Sequence, residues 1–169
     1  MKLWVKDRGK IYQLTTSRKI KIVYQIDKGL SIFANSYFKK GEKMASLRGS
    51  LVKKEAASPF SIQLDKDCFM GAIVDDFVWE DFINHSCNPN IFINVPRRAI
   101  VVVKDIKKDE EITFNYLTTE YDMKEMGTDF KCFCGDKNCF KNIKGFRYLS
   151  KNKKSKLKPF LSPYLLTKM

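Results

Sequence analysis

The chain has 169 residues, 44% of them hydrophobic and 13% aromatic, which suits one compact domain with a short appendage and excludes wholesale disorder. Even the apolar run at 99–103 stops at Lys104 and Asp105, far short of the roughly 20 residues of a bilayer span. Residues 1–10 carry Lys2, Lys6, Arg8 and Lys10 with no apolar stretch behind them, so a soluble intracellular protein without a secretory signal or membrane partner is expected. The net charge of +13 points to an anionic partner, yet it is uneven. Between residues 60 and 90, Asp65, Asp67, Asp75, Asp76, Glu80 and Asp81 face only Lys66, a local −5 that leaves +18 for the remainder. That asymmetry fits an acidic face for a basic ligand on an otherwise positive surface.

In chain order, β-branched alternation predicts a strand over 20–26, broken at Gly29, and another over 32–34. Lys39-Lys40-Gly41-Glu42 reads as a turn, and 44–52 as one or two short strands interrupted by Gly49. A weaker strand is predicted over 61–64, a strand buried on both faces over 99–106, and a further one over 112–116. Helical periodicity is confined to about two turns each at 76–83 and 120–126. Beyond Cys139 the chain has nine Lys and Arg and no acid. There 150–158 reads as a solvated linker, and the apolar set Phe160, Leu161, Tyr164, Leu165 and Leu166 as a cover for the domain's own core. Many short strands between charged turns predict a mostly β fold of small sheets.

Five cysteines argue against a pure disulfide framework and toward thiol or metal use. Cys132, Cys134 and Cys139 form C-F-C-G-D-K-N-C, a turn-rich segment that metal ligation explains better than burial. A closed structural zinc site needs a fourth ligand, and the candidates are Cys87, His85 and Cys68. Cys68 lacks a spaced partner and reads as a half-buried structural thiol. Upstream, Asn84-His85-Ser86-Cys87-Asn88-Pro89-Asn90 is a polar loop of turn formers and ligating side chains directly after the apolar Phe82-Ile83. Glu110-Glu111-Ile112-Thr113-Phe114-Asn115-Tyr116 follows it some 20 residues on.

This ordered set resembles the SET-domain protein lysine methyltransferases with a post-SET zinc segment, over residues 28–149. The resemblance implies a fold of several small β-sheets with a threaded, pseudoknot C-terminal core. It divides the chain into an N-terminal extension (1–19), a SET domain (20–117), a post-SET zinc segment (118–149) and a basic tail (150–169). The family's G-x-G-[IV]-F-A segment corresponds to Lys28-Gly29-Leu30-Ser31-Ile32-Phe33-Ala34. Lys28, Gly29 and Leu30, with Asn84, His85 and Tyr116, are thereby implied contacts of S-adenosylmethionine. Tyr116 falls on the active-site tyrosine, and Phe114 on the aromatic that limits methyl number, where phenylalanine implies di- or trimethylation. Cys87 is implied as the fourth ligand of one structural zinc, with Cys132, Cys134 and Cys139.

The implied activity is transfer of methyl groups to an accessible lysine of a protein substrate such as a histone tail, in the nucleus or on chromatin, with weak nucleic-acid contact through the basic tail. Three departures accompany the resemblance. Ser31 stands where the family has its second glycine, Asp81 where an arginine is common, and no cysteine precedes residue 28, so a cysteine-rich pre-SET cluster is missing. The alternatives are a catalytically silent module on the same fold, or a basic zinc-containing nucleic-acid binder.

Overall fold

The computed structural model describes residues 2–7, 9–71 and 77–169. Short strands dominate, as alternating β-branched segments between charged turns require. In chain order they are β1 (Lys2–Asp7), β2 (Lys10–Thr15), β3 (Ile20–Gln25), β4 (Gly29–Ala34), β5 (Lys43–Ser46), β6 (Ser50–Lys53), β7 (Ile62–Gln63), β8 (Cys68–Gly71) and β9 (Phe77–Val78). The second half contributes β10 (Asn84–His85), β11 (Ile91–Asn94), β12 (Ala99–Val102), β13 (Thr113–Phe114), β14 (Phe130–Lys131) and β15 (Asn142–Ile143), then helices α1 (Lys151–Leu157) and α2 (Pro163–Leu166). The described strands pair as β1-β2-β9, β3-β4, β6-β8-β7, β11-β12-β5, β10-β13 and β14-β15, the expected set of small sheets.

Two features of this arrangement place the site. First, the segment after β12 returns between β4 and the polar loop. Ile112 N–H donates to Ile32 at 2.7 Å and Ala34 N–H to Glu110 at 2.9 Å, while β13 pairs in parallel with β10. Asn90 then ties the layers together, accepting from Thr113 N–H at 2.9 Å and donating to the Glu111 carbonyl at 2.8 Å. Second, two apolar cores meet there. The larger gathers Leu14, Ile32, Phe38, Ile91, Ile100, Ile106 and Ile112; the smaller gathers Leu117, Ile143, Phe146, Leu157 and Leu165, and Tyr116 packs against both. Gly49 is required where β5 passes to β6, since a Cβ there would lie 2.4 Å from the Gly71 carbonyl oxygen.

Three local expectations are corrected. The helix predicted over 76–83 is instead β9 followed by a 3-10 turn at Trp79–Phe82, with residue 76 outside the described residues. Parallel pairing of β9 with β2 and the Asp81 carboxylate accepting from Val78 N–H at 2.9 Å replace helical bonding. Over 120–126 there is no helix, because the backbone exchanges bonds with a distant segment: Phe146 N–H to Glu120, Arg147 N–H to Tyr121 and Met123 N–H to Lys144. Conversely, the predicted linker at 150–158 holds α1. Ser150 caps it, Leu157 is buried, and Lys153 and Lys154 lay their chains over the rings of Phe140 and Phe146. Leu161, Tyr164 and Leu165 cover the smaller core as expected, while Phe160 and Leu166 stay partly exposed.

The acidic face is also less uniform than the sequence implies. Asp75 and Asp76 lie outside the described residues, Asp65 and Asp67 are exposed, and Glu80 and Asp81 are half-buried and used internally. Burial raises the Glu80 carboxyl and pushes Asp81 up to about 7.

Candidate active site

Tyr116 begins a 3-10 turn (Tyr116–Thr118) capped by Asn115, whose side-chain oxygen accepts from Leu117 N–H. Its phenol donates to the Ile83 carbonyl at 2.9 Å and its backbone N–H to His85 Nδ1 at 3.1 Å. The ring lies 4.7 Å from that of Phe114, 5.3 Å from His85 and 6.0 Å from Phe130, centroid to centroid. Burial, and then the charges of Glu120 and Glu111, raise the phenol's pKa, so it is a neutral hydrogen-bonding group at physiological pH. Phe114 is buried on β13.

The start of β4 joins this centre through Asn84. Its amide donates to Ser31 Oγ at 2.7 Å, to the Leu30 carbonyl at 3.2 Å and to Glu111 Oε1 at 3.2 Å. Glu111 Oε2 in turn pairs with Lys28 Nζ at 2.6 Å. Lys28, Gly29, Leu30, Asn84 and Tyr116 are thus brought into one neighbourhood across 88 residues of sequence. Ser31 is fully buried with its hydroxyl on Asn84, so the departure from glycine adds an anchor for Asn84.

The four cysteines Cys87, Cys132, Cys134 and Cys139 converge, all sulfurs lying within 4.8 Å of one another. A set of four convergent thiols fits a tetrahedral structural zinc with no open position. Backbone N–H groups of Phe140 and Lys141 point at the sulfurs of Cys87 and Cys139, at 3.3 and 3.4 Å. Burial raises the thiols of Cys87 and, to about 11, Cys132. For Cys134 burial is outweighed by hydrogen bonds from the Asp136 and Cys87 backbones, which hold it at about 7. Cys68 lies half-buried on β8, outside the cluster.

His85, the rival ligand, has another task. Nδ1 accepts the Tyr116 N–H, so Nε2 carries the ring proton and points it at Cys87 Sγ, 3.3 Å away. Burial lowers its pKa to about 4 and keeps the ring neutral. One imidazole therefore spans from the cysteine cluster to the backbone of Tyr116.

Sequence reasoning missed the anchoring by Ser31, the aromatic wall from Phe130 and the carboxylate of Glu120. Phe130 lies two residues before Cys132 with nothing to mark it, and Glu120 stood inside a stretch read as helix. Glu111 was visible in its motif but without a role.

Residues 29–117 match the family model described as the SET domain, and the chain belongs to that family. It is similar, at 34% identity over 92 residues, to the histone-lysine N-methyltransferase, H3 lysine-36 specific, of Debaryomyces hansenii, a match covering 51% of this chain and 12% of that protein. Two solved structures share the fold. KRYPTONITE, crystallised with mCHG DNA and SAH, has a TM-score of 0.58 at 23% identity over 73% of this chain and 28% of the other. The methyltransferase domain of the human histone-lysine N-methyltransferase SETMAR has a TM-score of 0.54 at 18% identity over 75% and 58%. The chain therefore spans a small part of the curated relative and somewhat more than half of the SETMAR domain.

Proposed function

We propose that this protein is a protein-lysine N-methyltransferase that uses S-adenosylmethionine, acts on a lysine of a histone tail, and favours di- or trimethylation. The observation that carries the reading is Tyr116, its hydroxyl pinned to Ile83 and its ring against Phe114 where β4, β10 and β13 converge. Gly29 supports a cofactor pocket: it is buried at φ 78 and offers bare backbone beside Asn84. Lys28, Gly29, Leu30, Asn84, His85 and Tyr116 would hold S-adenosylmethionine, which supplies a methyl group on an electrophilic sulfonium when bound. Cys87, Cys132, Cys134 and Cys139 would hold the structural zinc that fixes the 118–149 segment against the SET domain.

The residues act on the amine. A lysine near its ordinary pKa of about 10.4 is some 3 units from neutrality at pH 7, so its deprotonation costs about 4 kcal/mol. The clustered rings of Phe114, Tyr116 and Phe130 would lower that cost by disfavouring the ammonium. The Tyr116 oxygen, held by Ile83, orients the nitrogen lone pair, and such alignment supplies much of the acceleration in well-oriented reactions. Phe114 carries no hydroxyl to retain a water, which leaves space for an amine already bearing methyl groups.

The exposed Asp65 and Asp67 suit a lysine-rich tail. The lysines of α1 suit weak contact with nucleosomal DNA, which supports action on chromatin. No described helix is long and apolar enough to cross a membrane.

The test is mass spectrometry of core histones and a lysine-rich control protein incubated with isotopically labelled S-adenosylmethionine. Methyl-step mass gains on lysine are expected, reaching two or three per site, and Tyr116→Phe is expected to lower turnover by about 100-fold or more while cofactor binding survives. Cofactor binding without any labelling leaves a non-histone substrate or the silent module, whereas tight, steeply salt-dependent DNA binding without labelling favours the nucleic-acid binder.

A further inference from the structure

Glu120 stands four residues beyond Tyr116 and is fixed at both ends of its peptide unit. Its N–H donates to the Tyr116 carbonyl at 2.9 Å and its carbonyl accepts from Phe146 N–H at 2.9 Å. The carboxylate takes the Gln63 N–H of edge strand β7 at 3.2 Å, and the Thr119 side chain supports it. Glu120 and Tyr116 are both half-buried, and the Glu120 charge is felt by the Tyr116 phenol ahead of that of Glu111.

Its neighbours are already paired with cations: Glu111 with Lys28, Asp122 with Arg147 and Glu125 with Lys54. Glu120 has no ion-pair partner among the described residues, in a chain carrying 32 Lys and Arg. Burial pushes its carboxyl up to about 7. A half-buried carboxylate without a counter-ion is costly to maintain, and on the turn that its backbone bond to Tyr116 closes a ligand cation would serve as that counter-ion.

We infer that Glu120 is the substrate-side proton acceptor of this site: it pairs with the incoming lysine ammonium and removes one proton, leaving a neutral amine beside Tyr116. The inference rests on the methyltransferase reading. In the step one N–H bond of the ammonium breaks, its electron pair stays on nitrogen, and an O–H bond forms on Glu120. An ion pair becomes two neutral groups, with nothing oxidised or reduced. The half-buried setting favours that direction, because it disfavours both charges. The carboxyl of this partly exposed residue then returns its proton to water, ready for the next methylation. The polar groups facing the centre leave Glu120 this role: the Tyr116 hydroxyl donates to Ile83, both His85 nitrogens are engaged by Tyr116 N–H and Cys87, and Glu111 is balanced by Lys28.

Glu120→Gln keeps an acceptor for Gln63 N–H and removes the charge; Glu120→Asp keeps the charge. With an H3 tail peptide and S-adenosylmethionine, the parent's kcat/KM is expected to fall below about pH 7. Glu120→Gln should lose the break near pH 7, its kcat/KM instead rising with pH toward the lysine's own pKa, and should lose about 100-fold at neutral pH, with the break retained in Glu120→Asp. A readout independent of turnover is carboxyl NMR of the glutamate-labelled, cofactor-free protein. The Glu120 resonance, assigned by its loss in Glu120→Gln, should titrate near neutrality and move to lower pH when the H3 peptide is added, but not with a peptide carrying norleucine for lysine.

An active parent with Tyr116→Phe inactive and Glu120→Gln unchanged in rate and pH profile overturns this inference alone. If neither the parent nor any variant methylates, the methyltransferase reading fails, and absence of the lysine-dependent NMR shift overturns the cation site as well. If Glu120→Gln does not fold, shown by its thermal transition, Glu120→Asp and the parent's lysine-dependent titration decide.

Discussion

Asp122 holds the segment beyond Tyr116 in place, and its removal tests whether that segment is fixed by polar contacts. Its side chain is only 7% exposed and accepts from Arg147 at 2.8 Å, from the Tyr148 hydroxyl at 3.0 and 3.2 Å and from Glu125 N–H at 3.1 Å. A hydrogen bond to a charged group contributes about 1.5–3 kcal/mol, but these contributions do not sum, because Arg147 and Tyr148 are themselves largely exposed and regain water. Asp122→Ala is therefore expected to cost about 2 kcal/mol, or roughly 4–8 °C in Tm for a chain of this size, and Asp122→Asn about half that.

The pH dependence has a defined sign. Burial pushes this carboxyl up, but the bonds from Glu125 N–H, Arg147 and Tyr148 outweigh it and hold the pKa below the ordinary value. The contribution is thus complete above the unfolded pKa of about 3.9 and is lost as pH falls through the lower folded value. Urea unfolding of the parent, Asp122→Ala, Arg147→Ala and the double variant measures the coupling. Additive losses, or an Asp122→Ala variant as stable as the parent, would refute the account.

Two further predictions concern the site. Elemental analysis of protein purified without chelator should find about one zinc per chain. Stripping it should lower Tm by more than about 10 °C, since structural zinc contributes on the order of 10 kcal/mol in small sites; unchanged melting after complete removal contradicts the cysteine-cluster assignment. Ser31→Gly restores the family's usual residue yet is expected to destabilise by about 1–2 kcal/mol, through one lost acceptor for Asn84 and the entropy of a glycine in a strand. A more stable Ser31→Gly protein in chemical unfolding would show that the serine is merely tolerated.

The candidate site of this protein was legible in local patterns. Contiguous motifs expose it because a metal-ligating turn or a ligand-binding strand needs particular side chains a few residues apart. Cys132, Cys134 and Cys139 announced a metal site, and 84–90 with 110–116 announced the site around Tyr116. The strands expected over 20–26 and 44–52 were likewise visible, as β3 and as β5 with β6, since a pleated, half-buried segment imposes its own periodicity, whereas the one expected over 99–106 ends at Val102. Tertiary structure decided what no local window contains. Whether His85 or Cys87 completes the cysteine set depended on which group Tyr116 N–H reaches, and the answer came from β13 pairing with β10. Residues 120–126 have helical spacing, but bonds to 144–147 claimed their backbone, while lysine-rich 151–157 became a helix because Leu157 and two aromatic rings gave it a surface to cover. Glu120 acquired its place only when β7 and the turn after Tyr116 were brought together. Its carboxylate is held by a partner 57 residues away, a distance over which composition and periodicity carry no information.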